Sequence, residues 1–200
     1  DDTKGYLEKL IAQVFTGRER FEPGNPQEGY SPSPQERQSW LQISYMKEAY
    51  HTMGPKFTLG WMAEALYSSK NFSENYTATM MQAGEFAPTP HSKLMYNEAF
   101  RANQYVAAGI KPIYVLNDMF QFRTEFYGFT PIFPIKKNAL NKAYYGKAFS
   151  RFEYMGEVSV ICHLPFGAIS AYVNHYSSPR REWNVGMTIG WQLFNYRFVE

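Results

Sequence analysis

The chain has 200 residues, a formal net charge of +2 at pH 7, 18% aromatic residues and one cysteine. That length makes one domain or one large barrel, and near-balanced charge without a basic run argues against a nucleic-acid partner. A lone Cys162 excludes a disulfide framework and a cysteine metal cluster, and its place among apolar residues reads as a small hydrophobe.

At the N-terminus, Tyr6, Leu7, Leu10, Ile11, Val14 and Phe15 have helical spacing, yet the same residues suit an extra strand, and both readings stand. Gly17 to Arg37, rich in Pro, Gly, Gln and Glu, reads as loop. Residues 1–37 are therefore expected to form a helix or strand followed by a polar loop, and 38–200 a single antiparallel β-region.

A strand around Trp40 to His51 turns at Gly54-Pro55 into a cleaner one. There Phe57, Leu59, Trp61, Ala63, Ala65 and Tyr67 oppose Lys56, Thr58, Gly60 and Glu64. From Asn103 to Val115, Val106, Ala108, Ile110 and Tyr114 oppose Asn103, Gly109 and Lys111. From Met119 to Phe129, Phe120, Phe122, Thr124 and Phe126 oppose Gln121, Arg123 and Glu125. Between Phe149 and His163, Phe152, Tyr154, Gly156, Val158, Val160 and Cys162 oppose Arg151, Glu153, Glu157, Ser159 and His163. Phe166 to Tyr176 alternates too, and Trp183 to Leu193 does so without interruption. Side chains change face at every residue of a strand, so each segment is a ribbon with one greasy and one polar side. Eleven residues reach about 36 Å, enough to cross a bilayer at a tilt of about 45°.

Connections alternate as well. Met53–Lys56, Leu116–Asp118 and Leu164–Gly167 are short, whereas Asn71–Ala99 and Ile132–Lys147 are long and Ser177–Glu182 is intermediate. Every short turn then lies at one end of an up-and-down meander, as in outer-membrane barrels with short periplasmic turns and long external loops. No run of about 18 apolar residues exists, so no transmembrane helix is expected; membrane strands leave no such mark because half of each is polar. Asp1 opens no visible signal peptide, which reads as a removed leader or as the tail of a longer chain.

The charges Glu64, Lys111, Arg123, Glu125, Arg151, Glu153 and Glu157 all fall on polar faces. If the apolar faces meet lipid, these residues line a lumen, where Arg123/Glu125 and Arg151/Glu153 are placed to pair. Phe57, Trp61, Tyr67, Trp183, Trp191 and Phe198 then face lipid or form aromatic girdles. The expected fold is an all-β, antiparallel up-and-down transmembrane β-barrel with seven or eight strands in view, alone or as part of a larger barrel. The competing reading turns the greasy faces inward, giving a soluble barrel around a lipid or another hydrophobic ligand.

Catalytic motifs are scarce in the sequence. There is no Gly-x-Ser-x-Gly elbow, phosphate loop or dinucleotide fingerprint. His51, His91, His163 and His175 are scattered without zinc spacing, so neither metal nor cofactor is expected. Glu153 and Glu157 share a face but stand about 13 Å apart, too far for paired acid–base work.

Several segments carry a resemblance: Ala87-Pro88-Thr89-Pro90-His91-Ser92-Lys93, Phe100-Arg101-Ala102-Asn103-Gln104-Tyr105, Tyr154-Met155-Gly156-Glu157, Leu164-Pro165-Phe166-Gly167 and the ending Phe194 to Glu200. Together, over roughly Trp40 to Glu200, they resemble the C-terminal region of bacterial patatin-like phospholipases that carry a barrel similar to the surface-antigen superfamily. The resemblance implies an outer-membrane location, contact with membrane lipids, and a serine acyl hydrolase domain elsewhere in a longer chain or in a partner, with a homo-oligomer as another arrangement. It implies a larger barrel than the strands in view. No residue of this sequence inherits the family's catalytic serine or aspartate. Many outer-membrane barrels end on an aromatic residue, whereas here Val199 and Glu200 follow Phe198.

Overall fold

The computed structural model describes residues 5–19, 37–165, 167–177 and 183–191. In chain order the elements are β1 (Gly5–Arg18), β2 (Arg37–Thr52), β3 (Phe57–Ser68), α1 (Tyr76–Gln82), β4 (Gly84–Glu85), β5 (Arg101–Ala102), β6 (Gln104–Val115), β7 (Phe120–Pro131), β8 (Ile135–Lys137), β9 (Ala143–Tyr145), β10 (Glu153–Leu164), β11 (Gly167–Tyr176) and β12 (Trp183–Trp191). Eight of the strands form one antiparallel sheet in the order β1-β2-β3-β6-β7-β10-β11-β12. Apart from two excursions, this is the meander that the alternating turns predict.

The N-terminal ambiguity resolves as strand. β1 pairs with β2 position by position, from Gly5 opposite Tyr50 to Arg18 opposite Arg37, so the first 37 residues contribute a strand to the same sheet. A spacing of four residues satisfies both one helical turn and one strand face. Leu7, Ile11 and Phe15 lie on one side of β1, and Tyr6, Leu10 and Val14 on the other. The backbone of β2, which needs a hydrogen-bonding partner on that edge, decides between them. Among the described residues no strand pairs with the outer edge of β1 or of β12, and the sheet is not closed.

The pairing fixes the slant of the sheet. Thr52, Thr58, Ile113, Arg123, Ser159, Tyr172 and Gly186 are successive cross-strand partners from β2 to β12. Along that row the distance from the short-turn end grows by roughly one residue per strand. A slip of about 3.3 Å per strand spacing of about 4.8 Å tilts the strands by about 35°.

One face of the sheet is covered and the other is bare. On β3, Thr58, Met62, Leu66 and Ser68 are buried, whereas Phe57 and Tyr67 of the alternate face are exposed. The same parity holds on β6, β7 and β10. The polar side is thus the covered side, and the chain covers it with its own excursion between β3 and β6. Phe86 and Phe100 of that excursion pack onto Met62, Leu66, Tyr105, Tyr127, Phe129, Met155 and Tyr176 to form the main core. A second cluster joins α1 to the β8–β9 hairpin through Met80, Ala83 and Ile135. Asn75 caps α1, its side chain accepting from Ala78 N at 2.8 Å.

Candidate functional site

Glycines let tyrosines lie flat on the covered face. Tyr50 stands opposite Gly60, Tyr127 opposite Gly109 and Tyr172 opposite Gly186. A Cβ on Gly109 would sit 2.1 Å from Tyr127 Cδ1 and 2.8 Å from the Phe126 carbonyl oxygen. Each ring therefore occupies the space its neighbour leaves empty, and the hydroxyls of Tyr50 and Tyr127 are carried sideways to carboxylates. Tyr50 donates to Glu48 Oε1 at 2.5 Å, and Tyr127 donates to Glu125 Oε2 at 2.5 Å.

These contacts belong to a charged belt across the sheet. Lys111 Nζ donates to Glu48 Oε1 at 2.5 Å and lies 5.8 Å from the centre of the Tyr127 ring. Arg123 Nη1 is 3.7 Å from Glu125 Oε1. Glu125 and Glu157 are direct cross-strand partners, and Glu157 is in turn opposite Asn174, whose Nδ2 donates to Glu157 Oε2 at 3.5 Å. Lys111, Glu125 and Glu157 are 8%, 5% and 8% exposed, so these charges are held away from bulk water and depend on one another. Higher on the same face, Tyr105 donates to Glu64 at 2.5 Å, and its hydroxyl oxygen lies 3.2 Å from the carbonyl oxygen of Glu85.

The sequence-predicted charged residues divide accordingly. Glu64, Lys111, Arg123, Glu125, Glu153 and Glu157 lie on strands of the covered face, with Glu64 and Glu153 nearer the long connections. Arg151 precedes β10 rather than lying within it: its Nε is 3.0 Å from Glu153, and its guanidinium donates to the carbonyls of Ala99 and Glu98. Glu48, opposite Met62 on β2, is a belt member that the sequence reading misses because β2 alternates poorly. Phe57, Trp61, Tyr67 and Trp183 lie on the bare face, Trp183 packing against His175 with ring centres 4.7 Å apart. The side chain of Trp191 and the whole of Phe198 lie outside the described residues.

From β3 to Ile189 on β12, the bare face carries no Asp, Glu, Lys or Arg among the described residues, and Val158, Val185 and Met187 are all exposed there. β1 and β2 differ. Glu8 and Lys47 pair there at 3.5 Å, with Tyr45 donating to Glu8 at 2.8 Å.

The excursion has polar fittings of its own. Arg101 donates to the carbonyls of Met80, Met81 and Ala83 and pairs with Glu85. Tyr76 donates to Glu98; burial first, then that bond and the Glu98 charge, push its hydroxyl well above the ordinary tyrosine range. His91 Nδ1 meets the Tyr176 hydroxyl at 2.9 Å, and Ser92 donates to the Thr89 carbonyl at 2.8 Å. His91 thus serves as a contact between loop and wall. Among the described residues no group of three or more metal-ligating side chains converges.

Comparison with known proteins finds no matching protein family, no matching curated protein and no matching solved structure.

Proposed function

We propose that this chain is a wall of an outer-membrane β-barrel: a membrane-spanning region that anchors, or serves the passage of, a patatin-like acyl hydrolase held elsewhere, and that carries no catalytic residues itself. One observation carries the reading. From β3 to β12 the greasy face of the sheet is the exposed face, while the charged residues lie on the covered one. A water-soluble monomer rarely exposes a contiguous apolar patch beyond a few hundred Å². Here such a patch extends over six neighbouring strands, β3 to β12 of the main sheet. In lipid the same face is the favourable one.

Dimensions agree. Phe57 to Tyr67 spans ten steps, about 34 Å along the strand and about 28 Å after the tilt, close to the apolar band of roughly 25 Å in such barrels. Bilayers tolerate no open sheet edge, so the free edges of β1 and β12 call for closure, and the wall is read as part of a larger barrel. An eight-stranded barrel is filled by its own inward side chains, which leaves no room for Phe86 and Phe100 between them. The acyl hydrolase assignment rests on the sequence resemblance alone.

The soluble alternative, a barrel around a hydrophobic ligand, requires the greasy faces inside. Fractionation followed by mobility on a detergent gel separates the two. A membrane-fraction protein whose mobility shifts on boiling supports the wall. A protein that stays monodisperse in plain buffer without a shift refutes it.

A further inference from the structure

The excursions that cover the inner face are built as a removable unit. The longer one leaves the sheet at Ser68 and returns at Asn103, and Ser68 N donates to Asn103 O at 2.7 Å, so it starts and ends at one closed neck. The second does likewise, Phe149 N donating to Ile132 O at 2.9 Å. Much of their polar bonding is internal: Arg101 holds the last carbonyls of α1 and Glu85, Tyr76 holds Glu98, and Tyr76 N donates to Asn141 O at 2.8 Å. Displacing residues 71–102 keeps the Arg101 and Tyr76–Glu98 bonds and the β3–β6 pairing, and gives up the Tyr76 N to Asn141 O bond to the second excursion.

Its hold on the wall is of another kind. Phe86 meets the rings of Tyr127 and Phe129 at 6.0 and 5.9 Å, and Phe100 meets Phe129 and Tyr176 at 5.7 and 6.0 Å. Polar links accompany these rings, among them Tyr105 to the Glu85 carbonyl, His91 to Tyr176, Thr89 to Glu157 and Tyr176, and the Arg151 guanidinium to the carbonyls of Glu98 and Ala99. Arg151 stands where the second excursion re-enters the sheet, so it straps one excursion to the other at the wall.

Beneath the aromatic layer lies the charged belt. Glu48, Glu125 and Glu157 outnumber Lys111 and Arg123, and two carboxylates face one another directly across β7 and β10. Higher up, Glu64 and Lys9 share a row through Met46, adding one charge of each sign. Gln121 Nε2 and Asn174 Oδ1 are buried in this region with no hydrogen-bond partner among the described residues, polar atoms that water entering along the belt would satisfy.

We propose that residues 71–102 form a displaceable plug over a polar passage that prefers small cations, and that Arg151 is its strap. An excess of carboxylates along a passage lowers the energy of a cation there and raises that of an anion. In the resting arrangement the aromatic layer excludes water and the passage is shut.

The inference rests on the membrane-wall reading, and one preparation tests both. The full chain and the variants Arg151→Ala and Phe86→Ala are reconstituted into planar bilayers of phosphatidylcholine and phosphatidylglycerol, with heat-modifiable mobility measured on the same samples. The wild type should insert and stay quiet. Loss of a charge-assisted hydrogen bond should raise the open fraction of Arg151→Ala on the order of tenfold or more. Under a KCl gradient its reversal potential should fall on the potassium side, and adding Glu125→Gln and Glu157→Gln should move it toward zero. Phe86→Ala loosens the plug without touching β10, and so covers a folding defect in the first variant. Inserted, heat-modifiable variants that stay silent, or that prefer chloride, overturn the passage and leave the wall standing. A wild type that conducts as readily as its variants overturns the plug. Failure of every chain to insert overturns wall and passage together.

Discussion

Replacing Gly109 with alanine tests the claim that tyrosine rings pack into glycine gaps on the covered face. The new methyl would lie 2.1 Å from Tyr127 Cδ1 and 2.8 Å from the Phe126 carbonyl oxygen, far inside contact distance of both. Backbone at that position cannot retreat without unpairing β6 from β7, so the ring must move. Overpacking of this kind costs about 1–3 kcal/mol. If Tyr127 swings away, its buried bond to Glu125 is lost as well, a further 1.5–3 kcal/mol or so for a hydrogen bond to a charged group. A total of about 2.5–6 kcal/mol should lower the urea midpoint by roughly 1–3 M, followed by tryptophan fluorescence in detergent or lipid vesicles. Gly156 provides the control, since a Cβ there meets nothing closer than 3.6 Å, and Gly156→Ala should change stability by less than about 1 kcal/mol. In a Tyr127→Leu background the Gly109→Ala penalty should shrink, a coupling measured by the double-mutant cycle. Equal penalties at Gly109 and Gly156, or full additivity with Tyr127→Leu, would refute the reasoning.

Other positions separate the faces and the belt. Ile189→Arg on the bare face should cost about 2–4 kcal/mol of folding in lipid vesicles, and Thr188→Arg, one residue away on the other face, much less; equal costs would reverse the assignment. Lys111→Met should destabilise by about 3–5 kcal/mol because it strands the Glu48 carboxylate, while Glu48→Gln with Lys111→Met should recover most of that loss in the same titration. Phe86→Ala should remove about 3–5 kcal/mol of core packing, so tryptic cleavage at Lys93 should quicken while the strands stay protected; cleavage at the wild-type rate would mean the ring does not hold the plug.

Six of the eight long strands, β3, β6, β7, β10, β11 and β12, carry their two faces in the chain itself. The period of two is a local property of the extended backbone, and Phe57 to Tyr67, Val106 to Tyr114 and Trp183 to Ile189 display it without reference to any neighbour. The hairpins β2–β3, β6–β7 and β10–β11 are equally legible, because a short turn leaves two antiparallel strands no other way to run.

Tertiary structure decided what local pattern leaves degenerate. The four-residue spacing of Leu7, Ile11 and Phe15 satisfies helix and strand alike, and only the unpaired backbone of β2 selects the strand. Tyr105, Tyr127, Phe129 and Tyr176 were hidden because their outward neighbours are apolar too, so no contrast of hydropathy marks them as core. The pairing of Glu125 with Glu157, the reach of Lys111 to Glu48, and the return of Phe86 and Phe100 onto the wall all join residues tens of positions apart. Those meetings depend on the relative register of strands separated by long excursions. Register is settled only when every strand is paired at once, which no single segment of sequence can specify.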